Sequence, residues 1–210
     1  MALLATIGIV YGALAGLRQT DLKYVIGYSS VSHMGIVGLG LSTMTLDGLN
    51  GAVFQMFAHG LMTALFFSAV GYIYDRTHTR ELAELGGLGK TMPLATAYFV
   101  LAALTGIGVP CLASFWAELA VFMAAFNVYP LYGTLAICAL AVSALFILRV
   151  VQQTCFGPAR AEWADLQDVT PGQGLPRLIL VAAIALFGLF PALMFDMIQS
   201  AALPFINGTP

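Results

Sequence analysis

Charge is absent from this chain over stretches long enough to cross a bilayer, and that spacing limits the possible folds more than any motif does. No Asp, Glu, Lys or Arg occurs at 1–17, 24–46, 48–74, 91–117, 119–148 or 178–195. A membrane helix needs about 20 apolar residues to cross about 30 Å of hydrocarbon. Charged residues make up only 9% of the chain, against about 25% in soluble domains, and 60% are hydrophobic. In lipid the backbone N–H and C=O groups must be satisfied internally, which leaves helices for runs of this kind. The expected fold class is an all-α polytopic membrane protein.

Turn chemistry and charge divide the chain into six transmembrane segments near 2–17, 24–44, 52–74, 93–127, 130–151 and 177–200. The breaks read RQTDLK, TLDGLNG, YDRTHTRELAELGGLGKTMP, NVYP and GPARAEWADLQDVTPGQGLPR. The first segment is short: at about 1.5 Å per residue it spans roughly 24 Å, so the chain is expected to start part-way into something longer. Its MALLATIGIVYGALAG opening lacks a positive n-region and a cleavage site, and is not expected to be a signal peptide. The fourth segment is too long for one straight helix. It is expected to be discontinuous, broken within GIGVPCLAS by Gly106, Gly108 and Pro110, because irregular backbone in a membrane must be enclosed by protein or line a cavity.

Loop charge supports this count. With the segments alternating in direction, Arg18, Lys23, Arg76, Arg80, Lys90, Arg149, Arg160 and Arg177 all fall on one side, and the other side holds Asp47 and Asp196. The positive-inside rule then puts both termini on the non-cytoplasmic side. Nucleic acid is not expected as a partner, since no basic face interleaves with aromatics. Cys111, Cys138 and Cys155 lie 27 and 17 residues apart, which fits no metal or redox motif. Gly86-Gly87 lacks the context of a phosphate loop. His78, in YDRTHTRE, reads as a solvated loop residue.

Three titratable residues remain inside the segments, where such groups are costly and often mark proton or ion pathways. Glu118 lies four residues after Ser114, just past the expected break. A half-helix N-terminus favours a carboxylate there, so a structural cap competes with a transfer role. No basic residue is expected at its depth, so a partner would come from another chain or from water. His59 has Gln55 and Thr63 four residues to either side, on one helical face. His33 has Ser29 and Ser30 at i−4 and i−3. For both histidines, interhelical hydrogen bonding competes with proton hand-off. Three such residues on three segments read together as a proton wire.

Four stretches, LRQTDLKYVIGYSSVSHMG, GAVFQMFAHGL, YDRTHTRELAELGGLGKTMP and GVPCLASFWAEL, closely resemble the antiporter-like membrane subunits of respiratory complex I, of the chain M or subunit 4 type. The resemblance covers almost the whole chain from Leu17 onward. It implies a fold of fourteen helices in which two inverted five-helix repeats each hold a broken helix and half a proton channel. This chain then corresponds to the second repeat, at 1–175 with the discontinuous helix at about 93–127, plus a final helix and C-terminal tail at 176–210. By motif, His33 resembles the family's central-axis histidine, His59 its neighbour on the next helix, and Glu118 the terminal glutamate. Asp21 and Lys23 match a family motif but lie in a loop, and are expected to be structural. The first-repeat glutamate–lysine pair and central-axis lysine have no counterpart here, and Cys111 stands where relatives often have glycine.

The resemblance also implies a function, proton translocation within NADH:quinone oxidoreductase, and a set of partners. These are other membrane subunits, among them a chain supplying the first eight helices, and the lipid bilayer. No cofactor is expected on this chain; NADH, FMN, iron–sulfur clusters and quinone are expected in other subunits. The implied location is a bacterial inner membrane or its organellar equivalent. Two rivals stay open: a subunit of a multisubunit cation/proton antiporter or of a ferredoxin- or hydrogenase-linked relative, and a non-transporting structural half-subunit.

Overall fold

The computed structural model describes residues 1–207, so residues 208–210 of the expected tail lie outside it. Among the described residues the chain is helical, with one isolated antiparallel bridge between Asp21 and Glu81. The helices are α1 (Ala2–Leu17), α2 (Leu22–Ser42), α3 (Leu46–Thr77), α4 (Leu88–Thr91), α5 (Pro93–Ile107), α6 (Ala113–Val128), α7 (Pro130–Cys155), α8 (Pro171–Leu189) and α9 (Ala192–Asn207). Four of them, α2, α3, α7 and α8, are long and apolar enough to cross a membrane, while α1, α5 and α6 are shorter apolar helices.

Local chemistry sets the ends. The Asp21 carboxylate accepts from Lys23 N at 2.7 Å and Tyr24 N at 3.4 Å, taking up first-turn N–H groups of α2 that have no helical partner. It also pairs with Arg80 at 3.4 Å, and Leu22 N donates to Arg80 O at 3.0 Å. RQTDLK thus anchors the loop after α3 to the α1–α2 turn. Thr45 Oγ1 accepts from Gly48 N at the start of α3. Pro93, Pro130 and Pro171 each occupy the first turn of a helix, where a missing N–H costs nothing. Asp168 reaches across to α5 and accepts from Leu94 N at 2.7 Å and Ala95 N at 3.0 Å.

Three apolar clusters hold the helices together. The largest joins α2, α3, α5 and α7 through Ile26, Phe66, Ile73, Phe99, Phe146 and Ile147. A second joins α1, α2, α6 and α7 around Ile9, Ile36, Leu39, Val121 and Ala136. The third seats α9 on α3 and α6, with Met194 and Ile198 against Phe54, Ala58, Ala113 and Ala117. The α3–α6 approach is close because Gly51 has no side chain: a Cβ there would stand 2.8 Å from Val121 N and 2.9 Å from Ala117 O. Large apolar side chains such as Leu4, Ile7, Tyr11, Met123, Leu131 and Leu145 point outward, as lipid-facing residues do.

Two boundaries differ from the sequence expectation. The break in the fourth segment is confined to 108–112, and Gly106 lies inside the last turn of α5. The segment expected at 177–200 is not one helix. It begins earlier, at Pro171, and is interrupted at Phe190–Pro191. Pro191 supplies no N–H and forces the preceding residue out of the helical region; Phe190 has φ −123° and ψ 63°. Arg177, expected in a loop, sits in α8, its guanidinium donating to Gln173 O at 2.6 Å and Ser68 O at 2.9 Å. The two breaks meet, since a Cβ on Gly188 would overlap the Cys111 carbonyl. Trp116 Nε1 donates to Gly188 O at 2.8 Å across the same junction.

Candidate functional site

Helices α2, α3 and α6 bring His33, His59 and Glu118 into one buried cluster beside the break. His33 is 1% exposed and Glu118 3%. His33 Nε2 lies 3.4 Å from Glu118 Oε1 and 3.1 Å from Gly106 O. Its Nδ1 lies 2.8 Å from Ser29 O and 3.3 Å from Ser29 Oγ. A carbonyl oxygen only accepts, so a ring protonated on both nitrogens satisfies both carbonyls, with the carboxylate as counter-ion. The His59 ring stacks on His33 with centroids 5.3 Å apart and planes 29° apart. Thr63 Oγ1 lies 3.2 Å from His59 Nε2.

The other expected residues sort unevenly. Gln55, placed by spacing on the His59 face, turns to α6 and donates from Nε2 to Glu118 Oε1 at 3.2 Å. Ser29 meets the His33 ring, whereas half-buried Ser30 makes no hydrogen bond to it. Ser114 Oγ and Gln55 Oε1 are buried without a partner among the described residues. Glu118 is not an N-terminal cap: it lies more than a turn into α6, whose N-cap is Leu112 without a side-chain bond, and the dipole effect fades within the first turn. Nor does its partner come from elsewhere, because His33 and Gln55 of this chain supply it. Its Oε2 faces the break, where a Cβ on Gly108 would stand 2.5 Å away. Among the described residues no three His, Cys, Asp or Glu side chains converge as metal ligands.

The acceptor that sequence reasoning missed is the Gly106 carbonyl. A signal for it was present: Pro110 stands at i+4, so a continued helix would offer that carbonyl no N–H.

The helices and the buried histidine–carboxylate pair beside a helix break define a multi-pass helical membrane protein with ionisable groups held in its interior. The chain matches, over residues 1–144, the family described as NADH:quinone oxidoreductase/Mrp antiporter, transmembrane, and belongs to it. It is 37% identical over 199 residues to NADH-ubiquinone oxidoreductase chain 4 of Metridium senile, covering 95% of this chain and 40% of that protein. It is 36% identical over 197 residues to the F(420)H(2) dehydrogenase subunit M of Methanosarcina mazei, covering 94% of this chain and 40% of that one. Its fold superposes on a chain of respiratory complex I from Thermus thermophilus with bound NADH. The TM-score is 0.93 and the identity 27%, over 100% of this chain and 44% of the other. The chain therefore spans about two-fifths of the length of the curated relatives it matches.

Proposed function

We propose that this chain is the second half-channel of a proton-translocating, antiporter-like subunit of NADH:quinone oxidoreductase, with His33, His59 and Glu118 as the groups that pass protons. The observation that carries this reading is the His33–Glu118 pair at 3.4 Å, enclosed by three helices and stacked on a second imidazole. Transfer from His33 to Glu118 needs no large movement. His59 makes no hydrogen bond to His33, its ring stacking on that of His33 instead, so a proton passes between the rings through water in this reading.

In this reading the six crossings are α1, α2, α3, the α5–α6 pair, α7 and the α8–α9 pair. The second repeat then runs to the loop before α8, and α8, α9 and the tail form the final crossing, which starts at Pro171 rather than at the expected 176. The eight basic residues then lie on the cytoplasmic side and both termini opposite, in a bacterial inner membrane or its organellar equivalent. A companion segment supplies the first eight helices. NADH, FMN, iron–sulfur clusters and quinone belong to other subunits, where quinone reduction shifts protonation along the polar axis. The family's shared description favours one further reading, a cation/proton antiporter subunit without redox partners; copurification of flavin and iron–sulfur subunits separates the two.

The test is Glu118→Gln in the assembled complex. Assembly is expected to persist while proton-coupled turnover is abolished. Normal turnover with an undiminished proton yield would overturn the transport role.

A further inference from the structure

His33 Nε2 stands at a fork between two acceptors, one ionisable and one not: Glu118 Oε1 at 3.4 Å and Gly106 O at 3.1 Å. The second acceptor is a backbone carbonyl, which inside a helix would be bonded to the N–H four residues on. Here that residue is Pro110, which has none. The end of α5 also consumes the two carbonyls just before it in a defined order. Val109 N donates to Leu104 O at 3.2 Å and Gly108 N to Thr105 O at 3.1 Å, the paired bonds of a Schellman motif. Gly108 adopts the left-handed φ of +75° that this motif requires. The first carbonyl that the motif leaves unbonded belongs to Gly106, and it meets His33.

We propose that Pro110 and Gly106 are a positioning pair for His33. The proline stops α5 so that the Gly106 carbonyl stays free of the helix and holds the His33 Nε2–H beside Glu118. Ser29 O, at 2.8 Å from Nδ1, fixes the opposite edge of the ring, so the imidazole is pinned on both sides and Nε2 cannot turn from the carboxylate. This deepens the transport reading and rests on it. The step served moves one proton: the Nε2–H bond breaks, its electron pair stays on the ring, and an O–H bond forms on Glu118 Oε1. Once the proton has left, the Nε2 lone pair faces the Gly106 oxygen without a hydrogen between them, and only a returning proton restores the bond. The break thus resets the histidine after each transfer, and its placement one turn before α6 is a feature of the proton path as well as of the fold.

The proline acts here through its missing N–H, and that can be separated from its ring. Pro110→Ala returns an N–H that lets α5 extend and claim the Gly106 carbonyl. Lactic acid at position 110, introduced by nonsense suppression, keeps the alanine shape but replaces the N–H with an ester oxygen. In the assembled complex in proteoliposomes, Pro110→Ala is expected to lower proton-coupled turnover by roughly ten- to a hundredfold, the size of one lost hydrogen bond to a charged group. The ester variant is expected to return it close to the parental value. Equal loss in both would show that only the shape of proline matters, and parental activity in Pro110→Ala would show that the carbonyl need not be free; either overturns the proposal. Should Pro110→Ala fail to assemble, Pro110→Gly against glycolic acid makes the same comparison. Glu118→Gln run alongside keeps the two readings apart. If it retains its full proton yield, the transport reading falls; if it loses it while the position-110 pair stays equal, only the positioning role falls.

Discussion

Glu118 shows how much of a buried carboxylate's behaviour belongs to its neighbours. Its Oε1 accepts from Gln55 Nε2 at 3.2 Å and faces His33 Nε2 at 3.4 Å, while Oε2 lies against Gly108. Gln55 is fully buried and its own Oε1 has no partner among the described residues, so its amide serves the carboxylate at a cost in desolvation. Gln55→Leu keeps the volume and removes both the donor and the partnerless oxygen. A hydrogen bond to a charged group contributes about 1.5–3 kcal/mol. The substitution is therefore expected to leave assembly intact and to lower proton-coupled turnover by roughly ten- to a hundredfold. Unchanged turnover in the purified complex would show that His33 alone holds the carboxylate in place. The three titratable residues were legible in the sequence, because each is expensive in an apolar segment. Their pairing was not, because it joins positions 33, 55, 106 and 118 on four helices, and no local spacing encodes that.

The break between α5 and α6 is made by residues whose backbone differs from that of a helix. Gly108 and Cys111 have φ of +75° and +74°, a region that glycine enters freely and that costs other L-residues roughly 1–2 kcal/mol. At Cys111 that strain is real, and glycine would adopt the same conformation freely. Cys111→Gly is expected to stabilise the α5–α6 junction by about 1 kcal/mol. It would show as a higher midpoint in thermal unfolding of the detergent-solubilised complex, followed at this subunit; a lower midpoint would mean that the exposed Cys111 side chain contributes packing that outweighs its backbone. The break as a whole was visible in GIGVPCLAS, since glycine and proline there contradict a helix. The second break, at Phe190–Pro191, was passed over for an equally physical reason. Pro191 is flanked by apolar residues, and hydropathy responds to transfer free energy but not to a missing N–H. Helices α3, α7 and α8 also run past the charged residues used to bound them. Long side chains such as Arg177 reach back to polar atoms while their stems stay among apolar neighbours.

At the scale of the whole molecule, the positive-inside reading makes a demand that the helix lengths allow to be tested. Helix α3 has 32 residues and runs roughly 48 Å, well beyond the hydrocarbon thickness of about 30 Å, so its two ends must lie on opposite sides if it crosses at all. Met44, 85% exposed in the turn before it, then belongs to the non-cytoplasmic face. The loop after it carries Arg80, which pairs with Asp21 of the α1–α2 turn, and Ala83, whose carbonyl accepts at 2.6 Å from the guanidinium of Arg160 in the loop after α7. These contacts tie three loops together, so the α1–α2 turn, the loop after α3 and the loop after α7 share one face by geometry, independently of any charge rule. Single cysteines at Met44 and at Ala159, in a background with Cys111, Cys138 and Cys155 replaced by serine or alanine, read this directly with a membrane-impermeant maleimide. In inside-out vesicles Ala159→Cys is expected to react and Met44→Cys to be protected, with the pattern reversed in right-side-out vesicles. Labelling of both from one side would remove α3 as a crossing and, with it, the alternation on which the six-crossing reading depends. Labelling on opposite faces but with the order inverted would leave the fold intact and turn the half-channel around. The proposed transfer from His33 to Glu118 would then run the opposite way relative to the two compartments.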